Sequence, residues 1–138
     1  MDEQFRFLAL TLIGEARGEL CHGIIGVGCV IRNRLGTRTY EDVVTEKNQF
    51  SCWNVDDPNY HYLISLDLEH PADKYIKQCL WVAQGIFDGD ILDIVSGARN
   101  YVTLSRYQIA KTRNALNDQW ILKMKPVITL DHHIFLKE

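Results

Sequence analysis

The stretch LALTLIGEARGE, residues 8–19, decides the fold of this chain, because an apolar helix here runs into a cluster with two carboxylates. Apolar residues at positions 5, 8, 9 and 12 follow helical spacing, which predicts a first helix that extends to about residue 16. Gly18 is the predicted left-handed terminator. Glu15 then lies in the last turn, where the negative end of the helix dipole disfavours another negative charge. We therefore expect a raised pKa for the Glu15 carboxyl.

Length and composition are those of an ordinary globular protein. The chain has 138 residues, of which 46% are hydrophobic and 24% charged, so we predict a single domain over residues 1–138 with one core. A net charge of −3 gives no overall signature of a nucleic-acid binder. Residues 1–6 lack a basic leader region, and no apolar run approaches the ~18 residues of a membrane span. We expect synthesis in the cytoplasm without an export signal and no membrane insertion.

The remaining pattern predicts mostly helices. A helix over 24–35 contains Gly26 and Gly28, which cost about 1 kcal/mol each in a helix interior and predict close approach to another helix, most simply the first. Residues 40–44 suit a short helix or an extended piece. The clearest helix opens with Pro71-Ala72-Asp73 and ends at Gly89, and a weaker one covers 104–116. Short strands are predicted within 95–102, at 127–130 and at 133–136, which gives a mainly α fold (α+β) with a few short strands.

The segment 46–62 has no periodicity and is predicted to be a long loop. It carries aromatic residues interleaved with amides, a combination that suits a sugar-binding groove because pyranose faces stack on rings. An equally good interpretation is that the loop covers one flank of the core.

Histidine and cysteine chemistry is weakly supported. Five histidines and four cysteines match no usual zinc spacing, so we expect no metal and no cofactor. The cysteines at 21, 29, 52 and 79 form no Cys-x-x-Cys pair, and we expect reduced thiols. A cysteine hydrolase with Cys52 as nucleophile and His133 or His61 as base is an alternative without a local signature.

The carboxylates support a stronger hypothesis. Cleavage of a glycosidic bond needs an acid that stays protonated near neutral pH, and Glu15 has the apolar neighbours and helix-end position that such an acid requires. Glu19 has several possible roles: a second catalytic carboxylate, an acceptor for backbone N–H groups, or an ion-pair partner of Arg17 or Arg32. We favour a scaffold role in the turn for Glu19.

Six segments in order resemble the SleB-like cell-wall hydrolases, a family that includes spore-cortex lytic enzymes and many bacteriophage lysins. They are GEARGE (14–19), GVGCVIRNR (26–34), QFS (49–51), GARNY (97–101), Trp120 and HIF (133–135). The resemblance spans about residues 8–135 and implies a lysozyme-like fold related to lytic transglycosylases. Two details depart from the family pattern: Ile134-Phe135-Leu136 follows the final histidine in place of Phe-Tyr, and no proline precedes Trp120.

The resemblance also implies roles for individual residues. Glu15 aligns with the family's single catalytic acid. The expected substrate-binding residues are Gln49, Phe50, Ser51, Trp53, Tyr101 and Trp120. The expected supporting residues are Arg17, Glu19, Asn33, Arg34 and His133.

The implied activity is cleavage of the β-1,4 bond between N-acetylmuramic acid and N-acetylglucosamine in peptidoglycan. The favoured route is that of a lytic transglycosylase, in which Glu15 serves as single acid and base and the product is a 1,6-anhydro end. Hydrolysis with a second carboxylate from Glu19, Asp56 or Asp57 is the first alternative. A non-catalytic glycan-binding or tail module of the same fold is another.

The expected partners are peptidoglycan glycan strands. The expected setting is that of a phage lysin released through a holin, or of a virion-associated enzyme that works with phage tail proteins on the bacterial wall.

Overall fold

A computed structural model describes residues 1–138. Its central element is α1 (Glu3–Ala16), which packs against the four helices that follow it. The Asp2 side chain begins α1 by accepting hydrogen bonds from the backbone N–H groups of Gln4 and Phe5, at 2.7 and 3.1 Å. Leu8, Leu12 and other residues of the predicted apolar stretch are completely buried. The sequence prediction that α1 ends near residue 16 is confirmed.

Four helices surround α1: α2 (Cys21–Asn33), α3 (Tyr40–Val44), α4 (Pro58–Ile64) and α5 (Lys74–Asp88). As predicted, Asp73 caps the start of α5 and Gly89 ends it in the left-handed region, at φ +79°. The prediction of a loop over 46–62 is wrong for residues 58–62, which belong to α4, because the Asp57 side chain and Pro58 begin a helix there; the segment also contains a short 3-10 turn, Ser51–Trp53. Residues 40–44 form a helix, as one of the two sequence alternatives proposed.

The link between α1 and α2 differs from the prediction in two ways. Gly18 is not left-handed; α1 closes at Arg17 in right-handed geometry, and the Glu19 N–H donates to the Ala16 carbonyl at 2.9 Å. α2 begins at Cys21, three residues before the predicted start at Ile24. The sequence does not mark this start, because Leu20, which precedes α2, has no capping side chain. Leu20 is held by a distant residue: its N–H donates to Asp131 Oδ2, at 2.9 Å.

Three strands form one antiparallel sheet in the order β1–β3–β2: β1 (Asn100–Thr103), β2 (Lys125–Leu130) and β3 (His133–Lys137). Tyr101 pairs with Phe135 and Thr103 with His133, so these four side chains share one face of the sheet. The two strands predicted at 127–130 and 133–136 are present as β2 and β3, and they pair as a hairpin with Asp131 at φ +53° in its turn.

The opposite face of the sheet has its own small core. There α6 (Leu104–Arg113) and α7 (Gln119–Leu122) cover a cluster formed by Val102, Ala110, Ile121, Ile134 and Leu136. The sheet thus lies between the large helical core and this smaller cluster, and the mainly α (α+β) prediction is confirmed.

Close approach at the α2 glycines is confirmed, but α1 is not the main neighbour. A Cβ at Gly26 would stand 2.5 Å from Phe135 Cζ of β3. A Cβ at Gly28 would stand 2.9 Å from Ile86 of α5, with Leu12 of α1 farther away at 3.8 Å. The glycines therefore let the sheet and α5 approach α2.

The four cysteines are free thiols. None of the helices is both long enough and apolar enough to span a membrane.

Candidate active site

Glu15 stands in the last turn of α1, at the bottom of a cleft. Its Oε1 atom is buried and has no hydrogen-bond partner. Burial raises the pKa of the Glu15 carboxyl above its ordinary value, and the negative charge of Asp57 adds to that increase. Cys52, whose thiol and N–H favour the charged form, offsets part of the increase. The expected raised pKa is thus present, with desolvation as its largest cause.

The cleft above Glu15 has a volume of about 620 Å³. Its wall is polar and aromatic, which suits a sugar chain. The lining residues besides Glu15 are Arg34, Asn48, Gln49, Phe50, Asn100, Tyr101, Val102, Thr103, Arg106, Trp120 and His133. Glu15 is the only carboxyl group among them.

The sheet positions the aromatic wall. Tyr101 and His133 lie on neighbouring strands and make an edge-to-face contact, with ring centroids 4.9 Å apart. Phe135 supports Tyr101 from below, at 5.7 Å. Burial and the nearby Glu15 raise the pKa of the Tyr101 hydroxyl, so this group stays neutral and can donate a hydrogen bond.

Arg34 fixes one side of the cleft. Its guanidinium donates to the Arg99 carbonyl at 2.6 Å, to Gln49 Oε1 at 2.8 Å and to Asn100 Oδ1 at 3.5 Å. The same group lies over the Phe50 ring, 5.5 Å from its centroid. Arg34 therefore ties the end of α2 to the loop and to β1, as its predicted supporting role requires.

Glu19 does not line the cleft but contacts His133, which does, and it joins the α1–α2 link to the β2–β3 turn. Its Oε2 forms a hydrogen bond with His132 Nδ1, at 2.6 Å. Its Oε1 lies 2.6 Å from His133 Nδ1, but the angles at these two atoms do not suit a hydrogen bond. The suggested pairing with Arg17 or Arg32 is wrong. Arg17 bonds to the Ile13 carbonyl and Asn59, and Arg32 to the Ile86 carbonyl.

Glu19, Asp131 and His132 are the one group with metal-ligand composition, and their potential ligand atoms all lie within 4.8 Å of one another. Hydrogen bonds already engage them: Glu19 with His132, and Asp131 with the Leu20 N–H. These hydrogen bonds explain the arrangement without a metal: they join the α1–α2 link to the β2–β3 turn, across 111 and 113 residues of sequence.

Five of the predicted site residues do not line the cleft: Arg17 and Glu19, described above, and Ser51, Trp53 and Asn33. Ser51 is exposed in the 3-10 turn. Trp53 packs on Phe7 and donates from Nε1 to Thr11 Oγ1 at 2.8 Å, which supports the other interpretation of the loop, as a cover over the core. Asn33 donates to the Ala98 carbonyl at 3.0 Å and so holds the segment that leads into β1. Gln49, Phe50, Tyr101 and Trp120 do line the cleft with Glu15.

The thiol alternative is unfavourable in this geometry. Cys52 is buried against Glu15, and burial followed by the charge of Glu15 raises the pKa of its thiol far above the ordinary value. A protonated, buried thiol is a poor nucleophile. His61, one of the two proposed bases, is exposed on α4.

Arg106 is the main cleft residue that the sequence did not predict. It lies in the first turn of α6, within the helix that the sequence predicts over 104–116. Its position after the GARNY motif and β1 was the available signal, because a residue just beyond a cleft strand remains near the cleft.

Comparison with known proteins gives the family. The family model for "Cell Wall Hydrolase" matches residues 18–136. The match includes every cleft residue except Glu15, which lies three positions before the match begins. The chain belongs to the cell wall hydrolase family. This confirms the family resemblance found in the sequence and the prediction of a peptidoglycan-degrading enzyme. No curated protein matches the chain.

Two solved structures share the fold of this cell wall hydrolase. The catalytic domain of the germination-specific lytic transglycosylase SleB from Bacillus anthracis superimposes with a TM-score of 0.66 at 21% identity, over 99% of this chain and 96% of that one. The catalytic domain of the Bacillus cereus SleB protein gives 0.63 at 22% identity, over 97% and 89%. The predicted fold class is therefore confirmed.

Proposed function

We propose that this cell wall hydrolase is a peptidoglycan lytic transglycosylase that cleaves the β-1,4 bond between N-acetylmuramic acid and N-acetylglucosamine. One observation carries the proposal: Glu15 is the single carboxyl group in the cleft, and burial raises its pKa, which favours the protonated form that an acid catalyst needs. The name of the structurally similar B. anthracis SleB domain as a lytic transglycosylase supports the same reaction.

The proposed reaction needs only this one carboxyl. Protonated Glu15 gives its proton to the glycosidic oxygen, and the bond from that oxygen to the muramyl anomeric carbon breaks. The resulting Glu15 carboxylate then takes the proton of the muramyl 6-hydroxyl, whose oxygen bonds to the anomeric carbon. The product is a 1,6-anhydro ring, and Glu15 is protonated again, so no water is consumed.

A hydrolytic route is less well supported, because inverting glycosidases place a second carboxylate about 6.5–9.5 Å from the first, with room for water. Glu19 is committed to the two histidines, and the Asp57 side chain caps α4 by accepting from the Asn59 N–H at 2.8 Å. Asp56 is exposed and does not line the cleft.

Replacement of the acid tests the proposal. Glu15→Gln keeps the shape of the side chain but removes the transferable proton, so we expect a folded protein that clears no zone in a peptidoglycan gel. Glu41→Gln, at an exposed position on α3, is the matched control and should clear like the wild type. Clearing by Glu15→Gln at a rate near wild type would contradict the proposal.

We also infer a biological role as a phage lysin or a virion-associated wall-penetrating enzyme. The support is the resemblance to a family that includes phage lysins. Immunoblotting of purified virions tests the two settings: the protein should be present in particles if it opens the wall during infection and absent if it acts only at lysis through a holin.

A further inference from the structure

The cleft contains two arginines, and they differ in how their donors are used. Each of the three guanidinium nitrogens of Arg34 already donates one hydrogen bond to a protein oxygen, and its Nε–H is fully used. Arg106 has one nitrogen engaged: its Nη1 is buried, 2.8 Å from Asp118 Oδ1. One third of the Arg106 side chain is exposed, and no protein acceptor bonds to its Nε or Nη2.

Asp118 holds Arg106 in a fixed position. Its carboxylate is completely buried and also accepts from Arg113 Nε at 3.0 Å, Arg113 Nη2 at 2.6 Å and the Ala115 N–H at 3.0 Å. The backbone of Arg106 is fixed as well, because its N–H donates to the Thr103 side chain that caps α6. Two arginines share one carboxylate here, so this cluster carries a net positive charge beside the cleft.

We propose that Arg106 binds a carboxylate carried by the muramyl residue of the substrate, next to Trp120. Nε and Nη2 of a guanidinium form a planar fork that matches the two oxygens of a carboxylate. Trp120 lines the same cleft and is about half exposed, so it offers a sugar ring a stacking surface in the cleft that also holds Arg106.

The proposal rests on the proposed function and specifies the substrate further. Of the two alternating sugars, only the muramyl residue has an acidic substituent on its ring. In peptide-free strands the carboxylate is that of the 3-O-lactyl group itself. In peptide-bearing strands the lactyl carboxyl is an amide, and carboxylates occur only on the stem peptide.

The test compares kcat/KM on four forms of the glycan: peptide-bearing strands and amidase-treated, peptide-free strands, each either untreated or with carboxyls converted to neutral amides. We expect the wild-type kcat/KM to be roughly 10- to 100-fold higher on a carboxylate form than on its amide, because the amide cannot form the charge-assisted bidentate bond with Arg106. A preference seen on peptide-free strands assigns the lactyl carboxylate, and one seen on peptide-bearing strands assigns the stem peptide.

Arg106→Gln should lose that preference, because its rate should fall much more on the carboxylate strands than on the amidated strands. Arg113→Gln is the matched control, because it removes the other arginine on Asp118 without removing a cleft cation, and it should keep the wild-type preference. The amidated substrate is an internal control for folding, because a misfolded variant would lose activity on every form.

Equal wild-type rates on carboxylate and amide forms would overturn the proposal. So would equal losses on both forms in Arg106→Gln, since Arg106 would then have only a structural role. If the wild type cleaves none of the four glycans, the proposed function itself fails, which is a distinguishable result.

Discussion

At the scale of single residues, the proposed chemistry depends on the raised pKa of Glu15. The dominant cause is desolvation at the end of α1, and Asp57 adds a smaller electrostatic contribution in the same direction. An acid with a raised pKa delivers its proton at pH values where an exposed glutamate is already ionised. The activity of the enzyme should therefore fall as the pH rises through the pKa of Glu15.

Asp57→Asn changes that pKa without removing the cap of α4, because asparagine caps helices as well as aspartate does. Loss of the negative charge lowers the pKa of Glu15, so the basic limb of the kcat profile should move to lower pH. The neighbouring Asp56→Asn variant is the control and should leave the profile in place, because Asp56 is not among the groups that shift Glu15. An unchanged basic limb in Asp57→Asn would contradict this account of the Glu15 environment.

Residue positions were predictable from the sequence where local rules decide them. The place of Glu15 in the last turn of α1 follows from the apolar spacing before it. The partners of Glu19 were not predictable, because His132 lies 113 residues away and no local pattern connects the two. Arg106 was missed for a similar reason: its buried partner Asp118 belongs to a separate turn.

At the scale of elements, the contact between α2 and β3 depends on Gly26. A methyl group at this position would stand 2.5 Å from Phe135 Cζ and 3.0 Å from Leu130 Cδ1, in a part of the core with no space to spare. Gly26→Ala should therefore lower the free energy of unfolding by about 1–3 kcal/mol, as overpacked cores do. Chemical denaturation measures the change.

Gly18→Ala is the control for Gly26→Ala. No atom lies within 4 Å of the added Cβ, and the backbone of Gly18 is not left-handed, so the substitution should be neutral or slightly stabilising. Equal destabilisation by both variants would contradict the claim that Gly26 allows α2 to pack closely on β3.

The hydrogen bond between Glu19 and His132, which joins the α1–α2 link to the β2–β3 turn, should stabilise the fold in a pH-dependent way. The hydrogen bond to Glu19 raises the pKa of His132, and the charges of Asp131 and Glu19 add to it. A raised histidine pKa stabilises the fold fully below the ordinary value near 6.5, and the contribution is lost as the pH rises through the pKa of the folded state.

His132→Gln should therefore lower Tm at pH 6 and have little effect at pH 9. His22→Gln, at an exposed position on α2, should change Tm at neither pH. A Tm difference between His132→Gln and wild type that does not depend on pH would rule out the charged histidine as its source.

Elements with strong local signals were predicted well, and those fixed from a distance were not. α5 has a capping aspartate and a left-handed terminal glycine, and both ends were found. The start of α2 was placed three residues late because no capping side chain marks it; Asp131 from the β2–β3 turn instead accepts a hydrogen bond from the N–H of Leu20, just before α2. The glycines of α2 indicated close packing, but not which element packs there.

At the scale of the whole molecule, the sheet organises the site. It stands between the large helical core and the cluster under α6 and α7, and its β1 and β3 residues form one wall of the cleft over Glu15. The cleft has two guanidinium groups and one carboxyl, although the chain as a whole carries a charge of −3. The local charge therefore favours an anionic glycan more than the overall charge would indicate.

The central claim is that Glu15 alone drives a transglycosylase reaction, and the products of peptidoglycan digestion test it most directly. Mass spectrometry of glycan fragments should show 1,6-anhydromuramyl ends from the wild type and no new ends from Glu15→Gln. Wild-type fragments that end in reducing muramic acid, or anhydro ends from Glu15→Gln at the wild-type level, would contradict the claim.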